Sequence, residues 1–424
     1  MSAIFISHSS KDHAAAAELK ARLDAQGHKG VFLDFDPDDG IHAGRDWEQV
    51  IYEQLRVSAA VIVLCSPASM RSRWCFAEIT QARAGGKRLF LVKIADCAID
   101  GLLTDLQVID ITADREDGYR RLASGLKDAG LDPLDDFDWD GSRPPYPGLV
   151  SFEEKDAAVY FGRAGEIQDG LDRLNSLRRI ETTGFAMVLG ASGSGKSSLA
   201  RAGLVPRLRK DPGGWIVTDP FRPRQDPFQG LSFAISAEFT KLGRPRDWQE
   251  IHKDLTVGPP ALDPGNPLRA IANELRGNSE ARALIVVDQF EELLAPEAQA
   301  VSGPFLRLLR EAAAGADSPV VVLGTMRSDF LGAFQSHPQL SGLRFQAIPL
   351  GPMSAEGIRQ VIEGPAEKGG LKFEPGLVET IAEDTAHGDA LPLLAFALRE
   401  LFDRFGTGDR EIARDEYVVG LGGL

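Results

Sequence analysis

Residues 190–197 read Gly-Ala-Ser-Gly-Ser-Gly-Lys-Ser and directly follow the apolar run 185–189. This is the G-x-x-x-x-G-K-[ST] pattern in the strand–loop–helix setting that it needs. Glycines let the backbone curl until successive N–H groups converge on an anion. A helix opening at Lys196 adds the positive end of its dipole. In this pattern Lys196 reaches the β- and γ-phosphates, and the Ser197 hydroxyl holds Mg²⁺. Gly190, Ser192, Gly193, Ser194, Gly195 and Ser198 complete the cradle. At least half of the chain is therefore expected to be built around a parallel sheet that presents this loop.

The chain's 424 residues exceed what one core serves, so two to four domains are expected. The net charge of -15 argues against unspecific attraction to nucleic acid or an anionic membrane, without excluding a local basic patch. Cys65, Cys75 and Cys97 lack paired-motif spacing, which points to neither a disulfide framework nor a zinc site. A reducing cytoplasm suits them. No secretory pattern and no apolar run of membrane-spanning length is present, so no membrane partner is expected.

Short β-type runs at 4–7, 31–34, 60–65, 89–94 and 108–111 alternate with helical patterns, one of them striped by Ala15, Leu19 and Leu23. Such alternation predicts a parallel sheet with helices on both faces over residues 1–131. An acidic, proline-rich stretch at 132–146 reads as a linker. A second α/β domain is expected over 147–350, with further strands at 284–287 and 320–323, and a helical domain over 351–405. Pro392 falls in the first turn of a helix, where the missing N–H costs nothing. Residues 406–424 read as the start of a winged-helix or other further domain, and the chain is expected to be a piece of something longer.

A triphosphate site needs a second Mg²⁺ contact and a group to orient water. Asp288 ends the apolar run 283–287 and fits the first role. Gln289 stands where an acid often follows, and Glu291 or Glu292 can replace it; both also read as an ordinary solvated helix start. Arg327, at the end of another apolar run, is a candidate for sensing the γ-phosphate or a plain surface charge. Phe161, Gly162 and Arg163 precede the first helix of this domain and are candidates for the base.

Together 145–149, 156–163, the phosphate loop, 288–292 and 388–392 resemble bacterial STAND NTPases. The resemblance implies a P-loop α/β domain with a helical lid, an ATP/ADP switch with Mg²⁺, and oligomerisation when a sensor meets its trigger. It places Pro392 in the lid against bound ADP.

In a doubly wound sheet, ligands sit beyond the carboxyl ends of the strands. Ser9 and Ser10 follow the first run, Asp36 the second, and Trp47 the loop beyond it. Trp74 and Glu78 are four apart, hence on one helical face. An aromatic wall beside a carboxylate suits a planar ring and an oxocarbenium-like state, as in cleavage of a nicotinamide–ribose bond. Taken alone, Glu78 reads as a solvated helix residue and Trp74 as packing.

The segments 5–12, 31–34, 43–47 and 73–78 resemble a TIR domain. That implies a flavodoxin-like doubly wound fold, NAD⁺ as substrate and Glu78 as the catalytic carboxylate. It also places Ser9 and Ser10 on the loop that approaches NAD⁺ and Asp36 at the start of the mobile loop bordering it. The sequence departs from the animal enzymes in lacking an arginine pair after the first strand and in its longer loop at 37–45. The expected whole is a nucleotide-switched effector that gathers copies of itself, so that neighbouring TIR domains complete NAD⁺ pockets, as in anti-phage defence. Two other expectations stand beside it: a non-catalytic TIR scaffold that recruits TIR partners, and ATP hydrolysis as the output, as in a motor.

Overall fold

The computed structural model describes residues 4–423 except 29, 34–49, 53, 56–57, 59, 100–102, 105, 129–130, 132–136, 179–183, 258–264, 296–298, 386–390, 407 and 409. The chain divides into two compact units, Met1–Phe137 and Asp138–Leu424. Among the described residues no helix is long and apolar enough to cross a membrane.

In the first unit, β1 (Ile4–Ser7), β2 (Val31–Phe32), β3 (Ala60–Cys65), β4 (Arg88–Lys93) and β5 (Val108–Asp110) form one parallel sheet in the order β2-β1-β3-β4-β5. The central strand β3 is apolar and buried along its whole length. An unbroken apolar strand needs cover on both faces, and a core lies on each. Ile4, Ile62 and Val92 face one, and Phe5, Val63 and Leu91 the other. Helices His13–Ala25, Arg73–Ala84 and Arg115–Asp128 supply cover.

The second unit repeats the principle on a larger scale. Strands β6 (Phe185–Gly190), β7 (Trp215–Val217), β8 (Arg282–Val287), β9 (Val320–Arg327) and β10 (Gln346–Leu350) pair in parallel in the order β10-β6-β9-β8-β7. Alternate residues of β6 feed two cores: Phe185 and Met187 one, Ala186 and Val188 the other. The carboxyl ends of β6, β8 and β9 therefore open side by side, each delivering one expected functional element.

Beyond the sheet, helices Ala355–Gly369, Leu377–Asp384 and Leu391–Arg404 close around Ile362, Leu394 and Leu401. Strands β11 (Lys372–Phe373) and β12 (Glu411–Ile412) pair in parallel, and Ile412 and Tyr417 enter the same helical core. So does Tyr146, whose hydroxyl donates to the Ile362 carbonyl. Arg399 donates to the Tyr146 carbonyl at 3.4 Å, and Pro145 packs on Gly369. The peptide at 145–148 is thus stitched to two helices of this layer.

Candidate nucleotide and glycosyl-cleavage sites

After β6 the chain turns through a loop that only glycine permits at two points. Gly193 and Gly195 have φ of 74° and 92°, a left-handed region closed to most side chains. A Cβ at Gly190 would lie 2.7 Å from both the Leu350 carbonyl and the Ser194 hydroxyl, so this glycine also holds the loop close to β10. The Ser194 hydroxyl is buried without a hydrogen-bond partner, as expected of a donor awaiting an anion. Lys196 follows at the helix start, its ammonium folded back onto the Ala191 carbonyl at 2.5 Å. Burial holds that ammonium below its ordinary pKa, with Glu291 pulling the other way.

Asp288, just beyond β8, is 1 % exposed. Its Oδ1 accepts from the Ser197 and Thr325 hydroxyls at 2.7 Å each. Its Oδ2 accepts from Arg201 Nε and Nη2 at 3.3 and 3.1 Å and lies 3.5 Å from Arg222 Nε. Burial raises the cost of ionisation here, but the two hydroxyls and two guanidinium groups outweigh it and hold the Asp288 carboxyl below its usual pKa. The Ser197 oxygen keeps a lone pair while its proton points at Asp288. An ionised carboxylate behind a hydroxyl is a hard-oxygen pair suited to Mg²⁺, which takes its other ligands from phosphate and water. The residues therefore fit the ion. No cluster of three or more His, Cys, Asp or Glu suited to a metal occurs among the described residues, and this arrangement needs none.

The two acids after Gln289 have separate surroundings. Glu292 accepts the Arg224 backbone N–H at 2.9 Å, closing a turn in which Arg224 has φ of 48°. Glu291 instead lines a cavity of about 910 Å³ together with Lys196, Arg222 and Arg327. Its Oε2 is buried without a hydrogen-bond partner, and burial raises its pKa, offset in part by Lys196. Arg327 is paired through two hydrogen bonds with Asp329, at 3.0 and 2.6 Å.

The far end of the cavity is apolar. Phe161, Tyr160, Met353 and Val361 line it, and Phe152 meets Tyr160 edge-on with centroids 5.4 Å apart. A planar base suits such walls. Gly162 (φ 81°) sits so close to the Ala355–Gly369 helix that a Cβ would fall 2.5 Å from the Gly357 carbonyl. Arg163 is buried, paired with Glu166, and donates to the Ser194 carbonyl at 3.3 Å, so it braces the phosphate loop. Pro392 lies 3.2 Å from where a Cβ of Gly193 would be, in the first turn of Leu391–Arg404. Ser192, Gly195 and Ser198 also line the cavity, and Ser198 accepts the Phe152 N–H at 3.1 Å. The structure thus brings Phe161, Arg163, the phosphate loop from Ser192, Glu291, Arg327 and Pro392 to one cavity, with Asp288 behind Ser197 and with Gly162, Gly190 and Glu292 outside the lining. It adds Arg201, Arg222, Thr325 and Glu153, which sequence reasoning missed. Arg201 also binds both oxygens of Glu153, at 3.0 and 2.9 Å.

In the first unit, the Arg73–Ala84 helix is capped by Ser72, which accepts the Cys75 N–H at 3.3 Å. It turns Glu78 inward, 7 % exposed, to the carboxyl end of β1. There the Ser7 hydroxyl donates to Glu78 Oε2 at 2.5 Å. Ser9 is buried and caps the next turn by accepting the Lys11 N–H at 3.4 Å, and Ser10 is exposed. Trp74 is 46 % exposed, one turn before Glu78 on the same helix. Asp36 and Trp47 lie outside the described residues.

A family model for the TIR domain matches residues 4–140. Among solved structures, the TIR domain of the Toll-related receptor TRR-2 from Hydra magnipapillata is 16% identical, with 30% of this chain and 99% of that one covered and a TM-score of 0.27. The Orc1 protein of Aeropyrum pernix, solved in complex with DNA, is 21% identical over 65% of this chain and 69% of that one, TM-score 0.43. Domain III of the replication initiation protein DnaA from Thermotoga maritima is 14% identical over 62% and 93%, TM-score 0.40. No curated protein matches the chain. A second family model, described as Novel STAND NTPase 1, matches residues 145–424, well over half of the chain. The chain therefore belongs to the Novel STAND NTPase 1 family and carries a TIR domain ahead of its NTPase domain.

Proposed function

We propose that this chain is a nucleotide-switched effector whose TIR domain cleaves NAD⁺ when ATP binding at the phosphate loop gathers copies together. The observation that carries the enzymatic half is Glu78, held inside the carboxyl end of β1 by the Ser7 hydroxyl at 2.5 Å. A carboxylate fixed there faces the side on which a doubly wound sheet binds its ligand. In the reaction the bond between ribose C1′ and the nicotinamide nitrogen breaks, and nicotinamide leaves with the bonding pair. Glu78 stabilises the resulting oxocarbenium charge. Water then adds to C1′ and loses its proton, giving ADP-ribose; attack by a ring nitrogen of the adenine gives a cyclic product instead. Trp74, Ser9, Ser10, Asp36 and Trp47 are the proposed surroundings of the dinucleotide.

At the second site Lys196 and the loop N–H groups take the phosphates, Phe161 and its neighbours the base, and Pro392 the lid contact. Ser197, with Asp288 behind it, would hold Mg²⁺, which would neutralise phosphate charge when bound. Glu291 orients water toward the γ-phosphorus, since it lines the cavity while Glu292 is spent on the Arg224 turn. Hydrolysis is slow, because a switch must persist in its loaded state. The proposed setting is the cytoplasm of a cell under phage attack.

A scaffold reading has its own support. Trp74 and Phe76, both on the Glu78 helix, expose 46 % and 60 % of their surface, apolar area open to a partner. Chromatography of NAD⁺ incubated with the protein at several concentrations, with and without ATP and Mg²⁺, separates the two. NAD⁺ loss that needs ATP, rises faster than linearly with protein and vanishes in Glu78→Ala is expected. Intact NAD⁺ in an assembled sample sinks the enzyme reading and leaves the scaffold.

A further inference from the structure

We infer that Arg222 is the residue by which the NTPase domain tells a triphosphate from a diphosphate. The inference rests on the proposed nucleotide site and extends it to a side chain that neither the phosphate loop nor the strand-end acids announce.

The backbone around Arg222 is held firmly beside Asp288. Phe221 bridges to Val287 in parallel: its N–H donates to the Val286 carbonyl at 3.1 Å, and its own carbonyl accepts from the Asp288 N–H at 2.8 Å. Residue 222 therefore leaves the sheet next to the Mg²⁺-side carboxylate. Two residues on, Arg224 takes a left-handed φ of 48° that Glu292 secures through the backbone N–H. A non-glycine residue in that region is unusual and is kept only where surrounding bonds enforce it.

Two guanidinium groups meet Asp288, and they are not equivalent. Arg201 is 15 % exposed, binds Asp288 through two nitrogens and grips both oxygens of Glu153. It is fully committed. Arg222 is 38 % exposed and reaches Asp288 at 3.5 Å through Nε. With the Gln289 amide oriented to suit both neighbours, Arg222 Nη2 also donates to its oxygen at 3.3 Å while the amide nitrogen donates to Glu292 at 2.9 Å. The Asp288 contact is long, and that carboxylate is already satisfied by Ser197, Thr325 and Arg201. Glu153 and Asp288 both hold Arg201, so Arg222 is the guanidinium with the weaker tie, at the cavity that Lys196 and Glu291 also line.

A cation bound beside Ser197 and Asp288 repels the loosely held guanidinium, and a terminal phosphate attracts it. The planar fork of arginine suits two phosphate oxygens at once. A diphosphate ends one group short and gives Arg222 nothing to move toward. Arg222 thus trades Asp288 for the γ-phosphate only when ATP is bound. Arg327, already paired twice with Asp329, serves as the comparison residue.

The test is equilibrium binding of the full chain with Mg²⁺, using ADP and the non-hydrolysable β,γ-imido analogue of ATP. Arg222→Ala is expected to weaken the triphosphate analogue at least about tenfold, the scale of a lost charge-assisted hydrogen bond, and to leave ADP within about twofold. Arg222→Lys is expected to recover part of the loss, and Arg222→Gln, which keeps polarity and bulk, none of it. An unchanged ratio of the two affinities in Arg222→Ala overturns the inference, as does an equal loss for both nucleotides. If Arg222→Ala does not fold, the same two criteria apply to Arg222→Gln. A wild-type chain that binds neither nucleotide refutes the nucleotide site itself, a distinct result.

Discussion

Asp288 faces two hydroxyls and two guanidinium groups while almost wholly out of water. Removing any partner leaves charge buried without compensation, which is why such clusters hold their geometry. Glu291, three residues on, is in the opposite condition: burial raises its pKa and one oxygen has no partner. An acid with a raised folded pKa favours the folded state below its unfolded pKa, and that contribution is lost as pH rises through the folded value. Ionising Glu291 therefore costs stability as pH rises through its folded value. Glu291→Gln is expected to abolish ATP hydrolysis, bind nucleotide normally and melt no lower than wild type. Glu292→Gln is expected to keep hydrolysis within a fewfold. In the wild type, the acid limb of the rate lies above the ordinary carboxylate range. Equal hydrolysis by Glu291→Gln and wild type in a phosphate-release assay excludes the role. Asp288 was legible in the sequence because an apolar run ends in an acid. The different surroundings of Glu291 and Glu292 were not, since they depend on a turn at Arg224, 68 residues before the Glu292 that it binds, which only folding brings near.

At the level of elements, the buried strands announce themselves and the edges do not. Runs such as β3 and β8 are apolar nearly throughout. The outermost strands of the second sheet, β7 and β10, are short or mixed in character because one side of each lacks a neighbouring strand. Arg222 follows β7 and shared its obscurity: a Pro-flanked loop reveals nothing of its pairing with Val287. The junction of the Ala355–Gly369 helix with the 161–163 segment was equally hidden. Gly364 there admits the Phe161 ring, whose atoms would lie 2.5–2.8 Å from an added Cβ. A helix-interior Gly→Ala change normally stabilises by about 0.5–1 kcal/mol. Here the sign reverses: Gly364→Ala is expected to cost about 1–3 kcal/mol through overpacking and to weaken nucleotide binding about tenfold by displacing Phe161. A raised melting temperature with unchanged affinity contradicts that placement.

At the scale of the whole molecule, the two proposed sites fall in different units, and their mutants are expected to differ in kind. Lys196→Ala removes nucleotide binding and, with it, ATP-dependent NAD⁺ loss. Glu78→Ala removes NAD⁺ loss alone and keeps nucleotide binding and ATP-dependent assembly. Light scattering and NAD⁺ chromatography on the same samples check both; ATP-dependent NAD⁺ loss by Lys196→Ala breaks the link between the units. Tyr146 bears on how such a link travels. Its ring sits among the lid's own residues and its hydroxyl and carbonyl are tied to Ile362 and Arg399. A lid that swings must drag this tyrosine along or tear it loose. Either way the pull meets Arg143, three residues earlier and itself tied to Asp156 and the Lys155 carbonyl, so any signal that runs back along the chain must first work against that anchor.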